Sequence, residues 1–332
     1  MPSLQHLHTF GLISEAEQII DLASVHEIQS LCRSRQLPQC PFVILGGGSN
    51  ILFPPHYSGT VLHPIIKGIH ATPNAATVLV EAGSGENWAD FVIFCARHGW
   101  HGLENLAAIP GCVGASPVQN VGAYGCEAKD FIYQVNAIEI ATGNICHFTP
   151  DECQFGYRDS IFKHSLANRY IITSVVFQLA TSFAPNLNYQ ALAAAVSQKG
   201  ISNPNALQII DIVSNVRWSK LPRPEVLGSA GSFFTNPIIT ASLCEKLLET
   251  YPLMPHYPSG DKFKISAGWL IEQCGWKGKH LGPCGVYEKQ ALVLVNHGGA
   301  SIADVNRLAN AIIADVEARF DITLSPEAIF VK

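Results

Sequence analysis

The sequence is poor in charge. Asp, Glu, Lys and Arg make up 14% of its 332 residues, against roughly 25% in an average soluble domain. Hydrophobic residues make up 48%, which excludes an intrinsically disordered chain. Long apolar runs are missing as well: the longest, around 78–82 and 291–295, fall far short of the ~20 residues that span a bilayer, so no membrane protein is expected. There is no basic block. With 21 Lys and Arg against 26 Asp and Glu, the formal charge is −5, which argues against nucleic acid as the main partner. No Lys or Arg precedes Arg33 and no apolar segment opens the chain, so no signal peptide is expected and the cytoplasm is the expected compartment. The ten cysteines, Cys40 among them, form no C-x-x-C, and the 13 histidines include no H-E-x-x-H. No metal site is expected, and the cysteines read as buried thiols. G-x-S-x-G, G-x-x-x-x-G-K-[ST] and G-x-G-x-x-G are all missing, which argues against the usual hydrolase serine, a P-loop and a Rossmann fingerprint.

What is there suffices for two or three domains. Ser24-Val-His-Glu27 is a capping box that predicts a helix of about ten residues ending before Pro38. Pro41–Leu45 reads as a strand, broken by Gly46-Gly47-Gly48-Ser49-Asn50 and resumed at 51–53. A strand at 76–82 precedes a helix with Trp88, Phe91, Val92 and Cys95 on one face, so a βα alternation emerges. Strands at 134–140 and 170–179 flank Phe155–Ser160, and a helix near 190–199 stops at Gly200. Asn203-Pro204 starts another, running to about Arg217; Pro222 and Pro224 then mark the clearest boundary. Helices near 240–250 and 266–274 follow, then a last one opened by a Ser301-x-x-Asp304 capping box, and a C-terminal strand from Leu324.

Several constellations could carry chemistry. Three consecutive glycines between strands give either a tight turn or a row of N–H groups able to cradle a pyrophosphate. The stretch Ile109–Gly125 offers many backbone donors, with Ser116, Gln119 and Asn120 interspersed, and suits a long flat ligand; its rival is loop packing. Two such loops in one segment favour a dinucleotide-type cofactor. Arg158 beside Asp159 is either a structural ion pair or a clamp for a carboxylate. Ser232, between Gly231 and Phe233, is either a turn residue or a hydroxyl held among aromatics and able to deliver a proton. Most glutamates after a proline are solvated, but Glu327 is the one carboxylate of an apolar terminal strand.

Taken in order, Leu45–Asn50, Ile109–Gly125, Tyr157-Arg-Asp-Ser-Ile-Phe162, Ala230-Gly-Ser-Phe-Phe-Thr-Asn-Pro237 and Ser325-Pro-Glu327 resemble the UDP-N-acetylenolpyruvoylglucosamine reductase (MurB) family. The Asn188-Tyr189-Gln190 segment resembles its longer subtype, type I. The resemblance implies an α+β fold, with a two-part FAD-binding module of the vanillyl-alcohol-oxidase (PCMH) type and a C-terminal α/β substrate-binding domain. The expected divisions are 1–68, with the tail 326–332 packing back on it, 69–217 and 218–325. It also implies a monomer of the cytoplasmic stage of peptidoglycan precursor synthesis, in which NADPH reduces non-covalently bound FAD. Hydride then passes to the methylene carbon of the UDP-N-acetylglucosamine enolpyruvyl ether, giving UDP-N-acetylmuramate.

Carried over by position, Arg158 and Glu327 resemble the pair that polarises the substrate carboxylate and stabilises the enol-like intermediate, and Ser232 the acid that protonates the adjacent carbon. Gly46, Gly47, Gly48, Ser49, Asn50, Gly111, Gly114, Ser116, Gln119, Asn120, Gly122, Ala123 and Tyr124 match cofactor contacts; Tyr189, Lys220, Asn236, Tyr257 and Gln290 match substrate contacts. Thr235 and Ile329 depart from the common pattern, where Lys and Arg are frequent, and bear on fine substrate contacts. Cys112, Cys126, Cys153 and Cys274 read as packing. The competing expectations are another FAD oxidoreductase of the superfamily, against which Ser232 and Glu327 argue, and a catalytically silent nucleotide-sugar-binding protein, against which all three catalytic positions argue.

Overall fold

The computed structural model describes residues 1–34 and 41–331; Pro38 and Cys40 lie outside the described residues. The chain divides into two compact units. The larger, here the sheet unit, comprises Glu17–Gly47 and Ser58–Arg217; the other, the terminal unit, comprises Met1–Ala16, Gly48–Tyr57 and the chain from Trp218 onward.

The sheet unit is built on five strands in the order Ile145–Phe148, Ile132–Glu139, Tyr170–Ala180, Thr77–Gly83 and Ile69–Asn74, every pair antiparallel. The β-branched run YIITSVVFQLA takes the central place, buried along most of its length, as expected for a strand covered on both faces. Thr77–Gly83 alternates, sending Val78, Val80 and Ala82 into the core, whereas Ile69–Asn74 is the exposed edge. The helix Trp88–Arg97 is capped by Asn87, whose side chain accepts from the Asp90 N–H at 3.0 Å. Its apolar stripe lies on the sheet, with Phe91 5.1 Å and Trp88 5.9 Å from Phe177 between ring centroids. The βα alternation expected from the sequence gives a parallel pairing of Phe42–Ile44 with residues 60–62, but the five-stranded sheet is antiparallel, because the helix Trp88–Arg97 leads into the glycine-rich stretch instead of a neighbouring strand. The helix Val25–Arg33 starts at Ser24 as expected, but Glu27 returns its bond to the Ala23 N–H, one residue before the cap.

Helices Gln190–Gln198 and Ala206–Lys220 follow. The second starts later than Asn203-Pro204 suggests. Asn205 and Gln208 exchange backbone-to-side-chain bonds of 2.9 Å in both directions, so the cap is Asn205.

The terminal unit holds a four-stranded sheet, Gly228–Ser232, Val293–Asn296, Cys284–Val286 and His280–Leu281, and a three-stranded one, Ile238–Thr240, Lys262–Ile265 and His256–Ser259. Around them lie helices Ala241–Thr250, Ala267–Gln273 and Ile302–Phe320. The last opens with the expected Ser301/Asp304 capping box and buries Val305, Leu308, Ala309, Ile312, Val316 and Phe320. The expected C-terminal strand shrinks to Ile329–Phe330, paired parallel with Ile51–Leu52. Pro326 lacks the N–H that would extend the ladder, and residues 325–327 are held instead by single contacts with 233–235. No helix among the described residues is long and apolar enough to cross a membrane.

Candidate functional site

In the sheet unit the two glycine-rich loops meet backbone to backbone. A Cβ on Gly47 would lie 2.6 Å from Gly111 Cα, and one on Gly114 would lie 2.5 Å from Ser84 Cβ. Only glycine permits this approach. Two buried polar atoms border the loops without a partner, Ser84 Oγ and Gln119 Oε1. Leaving each of them desolvated costs about 1–3 kcal/mol, so both suit a ligand with hydrogen-bonding edges.

Other expected cofactor residues are engaged within the protein. Ser116 Oγ donates to Val113 O at 2.7 Å. Asn120 donates to Gly156 O and Glu127 Oε2, at 2.8 and 3.1 Å, and accepts from the Lys129 N–H at 3.1 Å. Both are fully buried, so their side chains hold the loop in shape. Gly122 and Ala123 form a short hairpin with Cys126 and Glu127, and Gly122 O accepts from Arg158 Nη2 at 2.5 Å.

Arg158 has φ +55°, a conformation that costs an L-residue about 1–2 kcal/mol. Backbone bonds between Gly156 and Asp159, at 2.9 and 3.3 Å, and a bond from Lys163 Nζ to Arg158 O at 2.8 Å hold it there. Both oxygens of Asp159 lie 2.8 Å from His164 Nε2. The Arg158 guanidinium lies 5.3 Å from the Tyr157 ring centroid. Tyr124, also left-handed at φ +48°, meets the half-exposed Tyr189 edge to face at 5.5 Å.

Arg217 is the residue the sequence reading missed. Its Nε is buried, and burial lowers its pKa, with Arg158 acting in the same sense and Tyr124 in the opposite one. Burial raises the Tyr124 phenol, an effect Arg217 opposes and Tyr189 reinforces. Two guanidiniums and two phenols thus share one neighbourhood suited to an anion. The available signal was helical spacing: Arg217 continues the buried face of Ile209, Ile210 and Val213. Ser84 was equally legible in Gly83-Ser84-Gly85, between the strand at 76–82 and the helix that carries Trp88.

In the terminal unit, Ser232 ends a strand at an irregular pairing with Val293, just after Gly231 at φ +68°. Ser232 is exposed, while Phe233 and Phe234 behind it are fully buried and 5.2 Å apart. The Glu327 N–H donates to Phe233 O at 2.8 Å, and Asn50 Nδ2 donates to Glu327 O at 3.1 Å. Glu327 is half-buried. Asn236 Oδ1 accepts from the Ala267 N–H at 2.9 Å, which fixes its amide orientation. Lys220 and Tyr257 are exposed, and Gln290 Oε1 turns to the Leu292 N–H at 3.4 Å.

The nine described cysteines are free thiols. Burial raises Cys112 and Cys126, and lifts Cys153 to about 12, which suits packing roles. Among the described residues no group of three or more His, Cys, Asp and Glu is placed to hold a metal ion.

A family model of an FAD binding domain matches residues 16–149, and one of the UDP-N-acetylenolpyruvoylglucosamine reductase C-terminal domain matches 223–331. The chain is similar to the UDP-N-acetylenolpyruvoylglucosamine reductase of Azoarcus sp., 46% identical over 98% of this chain and 95% of that one. It is 44% identical to that of Photobacterium profundum, over 99% of this chain and 94% of the relative. The crystal structure of the Thermus caldophilus enzyme matches 100% of this chain and 98% of its own, with a TM-score of 0.69 at 23% identity, a likeness of fold. The expected α+β fold with an FAD-binding module ahead of a C-terminal domain is borne out. The residues fit FAD: the glycines at 46, 47 and 114 let the two loops pack against neighbouring protein atoms with no Cβ between, and Ser84 Oγ and Gln119 Oε1, buried beside them without a partner, suit its hydrogen-bonding edges. The chain belongs to the UDP-N-acetylenolpyruvoylglucosamine reductase family.

Proposed function

We propose that the protein uses NADPH, through bound FAD, to reduce the enolpyruvyl ether of UDP-N-acetylglucosamine to UDP-N-acetylmuramate, a step of peptidoglycan precursor synthesis. The observation that carries the catalytic assignment is local: Glu327 donates its N–H to the carbonyl of the residue following Ser232, at 2.8 Å. That bond holds a hydroxyl and a carboxyl group in fixed register on one ladder.

FAD, when bound, supplies the hydride chemistry between the two substrates. Gly46, Gly47, Gly48, Ser49, Asn50, Gly111, Gly114, Ser116, Gln119, Asn120, Gly122, Ala123 and Tyr124 form the loops that would hold it. Addition of hydride to the methylene carbon leaves negative charge on the neighbouring carbon and its carboxylate. Arg158, fixed by its strained backbone, clamps that carboxylate, and with Glu327 it stabilises the enol-like intermediate. Ser232 Oγ–H then protonates the carbon and recovers its proton from water, to which it is exposed. Tyr189, Lys220, Asn236, Tyr257 and Gln290 contact the UDP-sugar, with Lys220 and Tyr189 suited to its diphosphate. In this reading residues 1–68 with the tail 326–332, residues 69–217 and residues 218–325 act as first FAD subdomain, second FAD subdomain and substrate domain. In this reading the protein works as a cytoplasmic monomer.

Anaerobic stopped-flow absorbance tests the reading. Bleaching of the flavin band near ~450 nm by NADPH, and its return on adding the UDP-linked enolpyruvyl ether, is the expected result. A protein that takes up no FAD, or that is reduced but never reoxidised by this ether, overturns it.

A further inference from the structure

The end of the glycine loop is tied directly to Glu327. Asn50 makes two bonds to the C-terminal segment: Nδ2 donates to Glu327 O at 3.1 Å, and its carbonyl accepts from the Ile329 N–H at 3.0 Å. With the Glu327 N–H on Phe233 O, both backbone polar groups of Glu327 are fixed, one beside Ser232 and the other by Asn50. The loop is braced at its other end too. Gly48 O accepts from the Thr9 N–H at 3.0 Å, and a Cβ on Gly48 would collide with Leu7 O. Thr9 in turn bonds Ser229, its Oγ1 donating to Ser229 O at 2.6 Å and its carbonyl accepting from the Ser229 N–H at 3.0 Å. Ser229 lies three residues before Ser232 on the same strand.

Gly48, Thr9, Ser229, Phe233, Glu327 and Asn50 thus close a circuit of hydrogen bonds inside the terminal unit. Most of its links are backbone to backbone, and Asn50 adds a side-chain link to the Glu327 carbonyl. We infer that Asn50 is a positioning residue: it couples the glycine loop to Glu327, so that whatever fixes the loop also fixes the backbone from which the carboxyl group projects. This extends the proposed reading, in which Glu327 stabilises the enolate and Asn50 is a cofactor contact, and rests on it for the catalytic consequence only.

The test compares FAD-loaded wild type with Asn50→Ala, and with Asn50→Asp, which keeps the side-chain size and removes the NH2 donor should the alanine variant fold poorly. Each half-reaction is timed per bound flavin, and amide hydrogen exchange is followed over 325–331. Losing one hydrogen bond to the Glu327 backbone is expected to slow reoxidation by the enolpyruvyl ether about tenfold more than reduction by NADPH, and to speed exchange of that segment about tenfold. Unchanged exchange over 325–331 overturns the coupling, as does equal slowing of both half-reactions, which marks Asn50 as a cofactor contact alone. Glu327→Gln is run alongside. If it is reoxidised as fast as wild type, the role of Glu327 fails, while the exchange measurement still decides whether Asn50 holds the segment.

Discussion

The two units make their contributions from different materials. In the sheet unit the candidate cofactor surface is mainly backbone: glycines 47 and 114 stand where a Cβ would collide, and the most buried side chains among them, Ser116 and Asn120, are bonded to the protein itself. In the terminal unit the candidate chemistry is carried by side chains, Ser232 and Glu327, set on a ladder whose register is fixed by backbone bonds. A surface made of backbone tolerates little change in shape but is indifferent to functional groups. One made of side chains behaves in the opposite way. Substitutions at these glycines and at Ser232 or Glu327 are therefore expected to fail differently, the first losing cofactor and the second losing chemistry.

The largest expected effect tests the side-chain unit. Ser232→Ala, at an exposed position, should retain FAD and slow reoxidation by the enolpyruvyl ether by about 10²–10⁴-fold, with flavin reduction by NADPH little affected; equal slowing of both half-reactions in rapid-mixing experiments removes the proton-donor role. Next comes the backbone unit. Gly47→Ala puts a methyl against Gly111 Cα, and strain of about 1–3 kcal/mol should weaken FAD binding by roughly tenfold to a hundredfold. Fluorescence titration of the apoprotein measures this, and catalysis per bound flavin should change far less than affinity. Arg217→Met crosses the comparison, because it removes a functional group from the backbone-built unit. Loss of one charge-assisted contact should raise KM for the anionic substrate by about tenfold with a smaller change in kcat; steady-state kinetics that show only a fall in kcat make Arg217 a structural residue.

The smallest effect concerns pH. His8 is buried in the terminal unit, bonded through Nε2 to Leu12 O and Ser14 Oγ at 3.3 Å, and burial lowers its pKa below 6.5. A folded pKa below the unfolded one means that the unfolded chain binds the proton more readily. The associated stability is present above about pH 6.5 and is lost as pH falls through the lowered folded value. His8→Gln should flatten the fall in Tm below that pH; an unchanged slope shows that another group governs the acid sensitivity.

Much of this was legible in the sequence where local chemistry decides structure. The caps at Ser24 and Ser301, the strand Thr77–Gly83 and the helix face of Trp88 and Phe91 appear where spacing and capping place them. Pairing was not legible, since periodicity identifies strands but not their neighbours, so the apparent βα alternation gave no hint of an antiparallel sheet. The C-terminal strand was overestimated because alternation continues through Pro326, which cannot donate. Arg217 escaped because a charged residue near a helix end normally reads as solvated. Ser116 and Asn120 resemble cofactor ligands in sequence, yet bonds across 36 residues, from Asn120 to Gly156, engage one of them within the protein.

The pairing of Ile329–Phe330 with Ile51–Leu52 also orders events during synthesis. The sheet unit has all its residues once Arg217 has left the ribosome, whereas the terminal unit draws on residues near 10, 50 and 330. At ~5–20 residues per second the intervening stretch takes roughly 6 to 23 seconds to make. Through that interval Ile51 and Leu52 have no partner strand, so the nascent chain exposes an edge that the finished protein covers.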